Sequence, residues 1–90
     1  MLIKVTRLEV VPPYKLAVEF SDGTRGVHDC AAIVAEGTGV IAPLRDPSFF
    51  RQAFLDHGAP TWPNSFDMDP EWLQREMVEA GELKQLVGAE

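Results

Sequence analysis

The sequence holds a single cysteine, Cys30, and only two histidines, His28 and His57. One thiol excludes a disulfide within the chain and a Cys-rich zinc site. Basic residues are also scarce: 8 Lys and Arg stand against 14 Asp and Glu, a net charge of −6. Nucleic-acid affinity draws much of its strength from Lys and Arg that neutralise phosphates, so this balance argues against direct nucleic-acid binding. No apolar run approaches the roughly 20 residues that cross a bilayer. The opening "MLIKVTRLEVV" is broken by Lys4, Arg7 and Glu9, and shows neither a basic leader nor the apolar stretch of a signal peptide. The expectation is a cytoplasmic protein with no membrane partner. The sequence has no glycine-rich phosphate loop, no H-E-x-x-H and no G-x-S-x-G.

What is present is ordinary for a globular chain: 46% hydrophobic and 24% charged over 90 residues. Residues 1–80 are expected to form one compact domain, and residues 81–90 a C-terminal tail or helix extension. "LIKVTRLEVV" reads as extended. Ile3 and Val5 share a face, as do Leu8 and Val10, but the step from 5 to 8 is odd. Both pairs face the core only if the strand bends or bulges near Thr6 and Arg7. Pro12 and Pro13 end it. "YKLAVEF" alternates, with Leu16, Val18 and Phe20 on one face. Asp22-Gly23 predicts a two-residue type I′ turn, with "TRGVHD" as the returning strand.

Asp29 predicts an N-cap for a short helix in "CAAIVA", and "EGTGVIAP" reads as a flexible connection. Asp46 caps, with Pro47 at the first helical position. Residues 52–62 allow two readings: a helix continued through Ala53, Phe54 and His57 to a stop at Gly58, or a short hairpin. Asp69 and Pro70 repeat the cap logic. Leu73, Met77 and Ala80 make the inner stripe, Glu71 and Arg75 a surface ion pair, and Gly81 the stop.

Asp67, Asp69 and Glu71 alternate in "TWPNSFDMDPEWL" and invite comparison with a calcium loop. Trp72 stands where such a loop needs glycine, and Val78 where it needs a bidentate glutamate. Asp69 reads instead as a helix cap and Glu71 as first-turn charge. A magnesium ion on Asp67 and Asp69 has no phosphate-binding loop to serve. Trp62 and Trp72 read as core anchors rather than a ligand-stacking pair. His28 and Cys30 lie two apart, with nothing aligned to orient them as a catalytic pair. They read as a surface or hairpin-edge histidine and a small buried thiol. The expectation is therefore no catalytic residue, no cofactor and no metal.

The ordered pieces "FSDG", "VHD", "LRDPSFF" and "WPNSFDMDPEW" resemble the domain of unknown function 2442 family, to about residue 77. That resemblance implies an α+β fold: a small antiparallel sheet built from hairpins, a short helix and a closing C-terminal helix. It favours the hairpin reading of residues 52–62. The family usually has glycine after the asparagine, where Ser65 stands here. A left-handed turn costs more with serine, which predicts a differently shaped loop. The family implies no established activity. Some relatives resemble companions of a second small protein in toxin–antitoxin-type pairs, and others look like modules attached to a helix-turn-helix.

The functional expectation is a non-enzymatic protein-interaction module, the neutralising member of such a pair. Its partner would be a small basic protein encoded nearby. The alternative is an accessory transcription-related regulator that reaches nucleic acid through a partner; a small enzyme is a third reading. "LIKVTRLEVV" at a sheet edge would offer strand addition or homo-oligomer formation. As a central strand it would simply be core.

Overall fold

The computed structural model describes residues 2–85. In chain order the elements are β1 (Val5–Val11), β2 (Lys15–Phe20), β3 (Thr24–Asp29) and α1 (Ala31–Glu36). A 3-10 helix (Gly39–Arg45), α2 (Pro47–Phe50), β4 (Phe54–Asp56) and β5 (Ala59–Thr61) follow. Helix α3 (Pro70–Glu79) and β6 (Leu83–Gln85) complete the fold. A four-stranded antiparallel sheet runs in the order β1-β2-β3-β6, and β4-β5 form a separate hairpin. The architecture is α+β, with the hairpin reading of residues 52–62 realised. No helix among the described residues is long and apolar enough to cross a membrane.

The alternation in β2 dictates which face is covered. Leu16, Val18 and Phe20 are buried, and their neighbours turn to the opposite face. On β1 the register pairs Val5 with Phe20 but Arg7 with Glu19, leaving Thr6 as an extra residue. Its hydroxyl donates to the Glu19 carbonyl at 3.2 Å. This bulge restores parity, so Val5, Leu8 and Val10 all meet the core. Against that face lie Trp62, Phe50, Leu44, Leu73, Met77 and Val34, all buried. Trp62 donates its indole N–H to the Phe50 carbonyl at 2.9 Å, which satisfies the one polar atom it takes into the core. The opposite sheet face is open, as antiparallel sheets permit.

The caps follow the sequence. Asp46 accepts the Ser48 N–H at 3.0 Å with Pro47 opening α2. Asp69 accepts the Trp72 N–H at 3.2 Å with Pro70 opening α3. Leu73 and Met77 face inward, but Ala80 is an exposed C-cap, because the helix has already ended there. Gly81 at φ +72 closes it: the Glu82 N–H donates to Met77 and the Gly81 N–H to Val78, a Schellman motif. The side-chain contacts between basic and acidic groups among the described residues are His28–Glu82 and His57–Asp56, so Glu71 and Arg75 form no ion pair.

Several expectations are corrected. The loop between β2 and β3 has three residues, Ser21 to Gly23, of which only Gly23 has positive φ (+89). The Gly23 N–H donates to Phe20 at 3.1 Å, and the Asp22 carboxylate accepts from the Thr24 N–H and hydroxyl. Burial works to raise the Asp22 pKa, but these bonds and one from Gln74 outweigh it and hold the carboxyl below its ordinary value. The type I′ geometry occurs instead at His57-Gly58, where φ is +53 and +81 and β4 and β5 are joined by two residues.

Cys30, not Asp29, is the N-cap of α1; Asp29 accepts the next N–H, that of Ala31, at 2.9 Å. The connection after α1 is a 3-10 helix rather than a flexible linker. Leu44 anchors it in the core, Asn64 donates to the Val40 carbonyl at 2.8 Å, and Tyr14 donates to the Arg45 carbonyl. Ser65 itself adopts the left-handed conformation, at φ +73, despite its side chain. Residues 83–85 neither extend α3 nor trail: they pair with β3. Residues 86–90 lie outside the described residues.

Candidate functional site

The acidic stretch is divided among separate tasks. Asp67 bridges to Thr61 through the backbone, Asp69 caps α3, and Glu71 is exposed in its first turn. No group of three His, Cys, Asp or Glu residues among those described is placed to hold a metal ion. Beside them lies a shallow cleft of about 180 Å³, apolar through Ile33, Ile41, Phe66 and Trp72. Trp62 is fully buried and Trp72 half-buried against the core.

His28 is buried on the covered face of β3, where a surface or edge position was expected. Its register partner Leu16 sits on the same face. The cause is Glu82, whose Oε1 lies 2.7 Å from His28 Nδ1 and whose Oε2 accepts the Asp29 N–H at 3.3 Å. Cys30 is fully buried, as read from sequence, with Sγ 3.9 Å from the His28 carbonyl. Desolvation first, then the charges of Asp29 and Glu82, pushes its thiol up to about 12. At neutral pH it is a protonated thiol, the inert form for nucleophilic chemistry. His57 is on the surface beside Asp56, at 2.8 Å.

Sequence reasoning missed Glu82 and Gly26. A Cβ on Gly26 would stand 1.9 Å from the Glu82 carbonyl oxygen, so the glycine admits the chain that leads from α3 into β6. A lone glycine inside an alternating strand is the signal that could have found this close approach. Glu82 had no signal, because its partner lies 54 positions away.

The open sheet face carries mixed charge. One cross-strand row runs Arg7, Glu19, Arg25, Lys84, and the next runs Glu9, Ala17, Val27. The curvature of the sheet makes a concavity of about 640 Å³ over these residues.

Among the described residues strand β1 ends the sheet, which matches the edge reading and not the central-strand one. The direction of its backbone groups follows from the ladder. Ser21 donates its N–H to Lys4, toward β1, and Tyr14 accepts from the Cys30 N–H, on the β3 side. Alternation along β2 therefore turns Lys15, Ala17 and Glu19 toward β1. Their partners Val11, Glu9 and Arg7 turn inward to meet them. Leu8 and Val10, lying between, present N–H and C=O outward. At the start of the strand Gly58 accepts the Val5 N–H at 2.8 Å, so the β4-β5 hairpin covers that end.

The profile of a family described as "Protein of unknown function (DUF2442)" matches residues 5–79, from the first residue of β1 to the last of α3. No curated protein and no solved structure matches the chain.

Proposed function

The chain belongs to the DUF2442 family, and from there we propose that it is a non-enzymatic protein-interaction module that works by lending the free edge of β1 to another strand. One observation carries this reading: β1 terminates the sheet with Leu8 and Val10 turning their backbone groups outward. Such an edge must be covered, blunted or used. Here the β4-β5 hairpin covers only its beginning, at Val5. Main-chain hydrogen bonds to an added strand supply affinity, and side chains on alternate positions supply selectivity.

In the two-protein version of this reading the chain neutralises a small basic companion, as in toxin–antitoxin-type pairs. The net charge of −6 supports it, since an acidic surface steers a basic partner and speeds association at low salt.

The test is Val10→Pro. It deletes an outward N–H on an edge strand, a position where proline is tolerated. Circular dichroism should match the unsubstituted chain and the melting temperature should fall only slightly, while partner strands retained by the tagged chain should be lost. A well-folded Val10→Pro chain that retains the same partners removes the edge as the docking surface.

A further inference from the structure

We propose that the strand that fills the β1 edge is β1 of a second copy, antiparallel and centred on Leu8. This rests on the reading of β1 as a docking edge and names its occupant.

Leu8 is the middle residue of the seven in β1, Val5–Val11. It is also one of the two whose N–H and C=O face outward. A two-fold axis through it sets Leu8 opposite Leu8 of the second copy, and the two exchange both backbone hydrogen bonds. The strands then overlap from Thr6 to Val10. Val5 stays outside the overlap, because its own β4-β5 hairpin already accepts its N–H through Gly58.

The charges select this register. Arg7 and Glu9 flank Leu8, and both are exposed on the open sheet face. About Leu8, Arg7 falls directly opposite Glu9 of the second copy, and symmetry makes the contact twice. Opposite charges at a directly opposed, non-hydrogen-bonded position attract, and their side chains are at their closest there. Moving the axis one residue, to Glu9, keeps the hydrogen-bond pattern but sets Glu9 against Glu9, a repulsive pair. On the covered face the Leu8 side chains, half-buried in each copy, meet across the axis and join the two apolar layers.

The experiment is light scattering on the full chain over a concentration series, with Arg7→Glu, Glu9→Arg and the double swap. The unsubstituted chain should approach twice its 10.0 kDa mass. Each single swap replaces two attractive pairs by two repulsive ones and should weaken association about tenfold. The double swap should restore it, because Glu at position 7 then faces Arg at position 9. If Arg7→Glu fails to fold beside Glu19, Glu9→Arg carries the test alone. It weakens a dimer centred on Leu8, but only exchanges one like-charge pair for another in a dimer centred on Glu9. Unchanged association of Glu9→Arg therefore overturns the register. A monomer at every concentration overturns self-pairing. If that monomer still holds a different protein through a Val10→Pro-sensitive contact, the docking edge stands with another occupant. If Val10→Pro changes neither mass nor any retained protein, the docking edge falls as well.

Discussion

His28 and Glu82 are separated by 54 positions in the chain and by 2.7 Å between Nδ1 and Oε1. The same carboxylate accepts the Asp29 N–H at 3.3 Å. One side chain thus fastens the segment after α3 to the end of β3. Glu82→Ala should cost about 1–2 kcal/mol, since it leaves the largely buried imidazole without its partner. Glu82→Gln should cost less, because an amide oxygen still accepts. Urea denaturation of the two variants measures this; an unchanged midpoint for Glu82→Ala would show that the contact holds nothing.

Gly26→Ala should be costlier. Its Cβ would stand 1.9 Å from the Glu82 carbonyl oxygen and 3.1 Å from Met77 Cε. The nearest obstacle is backbone and cannot rotate away, so α3 and β6 must lift from β3. A loss of about 2–3 kcal/mol is expected in chemical denaturation. Hydrogen exchange should localise the loosening to residues 82–85, and uniform protection would contradict the assignment.

Two turns give opposite signs. Gly23 sits at φ +89 with open space around its missing Cβ, so Gly23→Val should cost more than ~1 kcal/mol through backbone strain alone. Ser65 already bears such strain at φ +73. Ser65→Gly should raise stability by about 0.5–1 kcal/mol, the relief of the left-handed conformation less the entropy glycine adds to the unfolded chain. Thermal melting decides both, and a lower melting temperature for Ser65→Gly would refute the second.

Adjacent prolines on β1 should behave differently. Glu9 turns its N–H toward Ala17, and Val10 turns its N–H outward. Glu9→Pro should destabilise by at least about 2 kcal/mol through the lost ladder bond and the disturbed pairing. Val10→Pro should cost much less. Similar melting temperatures would mean that the inward and outward positions have been exchanged.

Cys30 makes stability fall in alkali. Burial pushes its thiol up to about 12, above the ordinary value of about 8.5. Above that ordinary value the unfolded chain releases a proton that the folded chain keeps. Stability is therefore undiminished below about pH 8 and declines as the pH rises toward 12. Between pH 8 and 10 the urea midpoint should drop more steeply for the native sequence than for Cys30→Ala. Parallel slopes would place the thiol in contact with water.

What could be read from the sequence was what depends on near neighbours. The alternation of Leu16, Val18 and Phe20, the Asp-Pro caps of α2 and α3, and the bulge implied by Val5 and Leu8 all lie in short windows. Turn type was misread because loop length depends on pairing. Asp22-Gly23 has the composition for a two-residue turn, yet the register leaves three residues there and gives the two-residue turn to His57-Gly58. Strand β6 was illegible because "LKQ" has no strand pattern of its own. It exists where β3 offers an edge and Gly26 offers room. The edge position of β1 was half legible: its apolar face is in the sequence, but its place at the end of the sheet is a fact of topology.

The β3–β6 pairing also sets an order of events during synthesis. Strands β1, β2 and β3 are consecutive antiparallel neighbours and can pair soon after they emerge from the ribosome. The far side of β3 must then wait until Leu83, Lys84 and Gln85 have been made, since Thr24 pairs with Gln85 and Gly26 with Leu83. Throughout that interval the nascent sheet is open along both β1 and β3, with the core cluster of Leu16 and Val18 still without Leu73 and Met77 of α3. A ribosome pausing in the codons for α3 would thus hold the chain in its most adhesive form. Slow translation through that helix should lower the yield of folded protein, even though the sequence produced is the same.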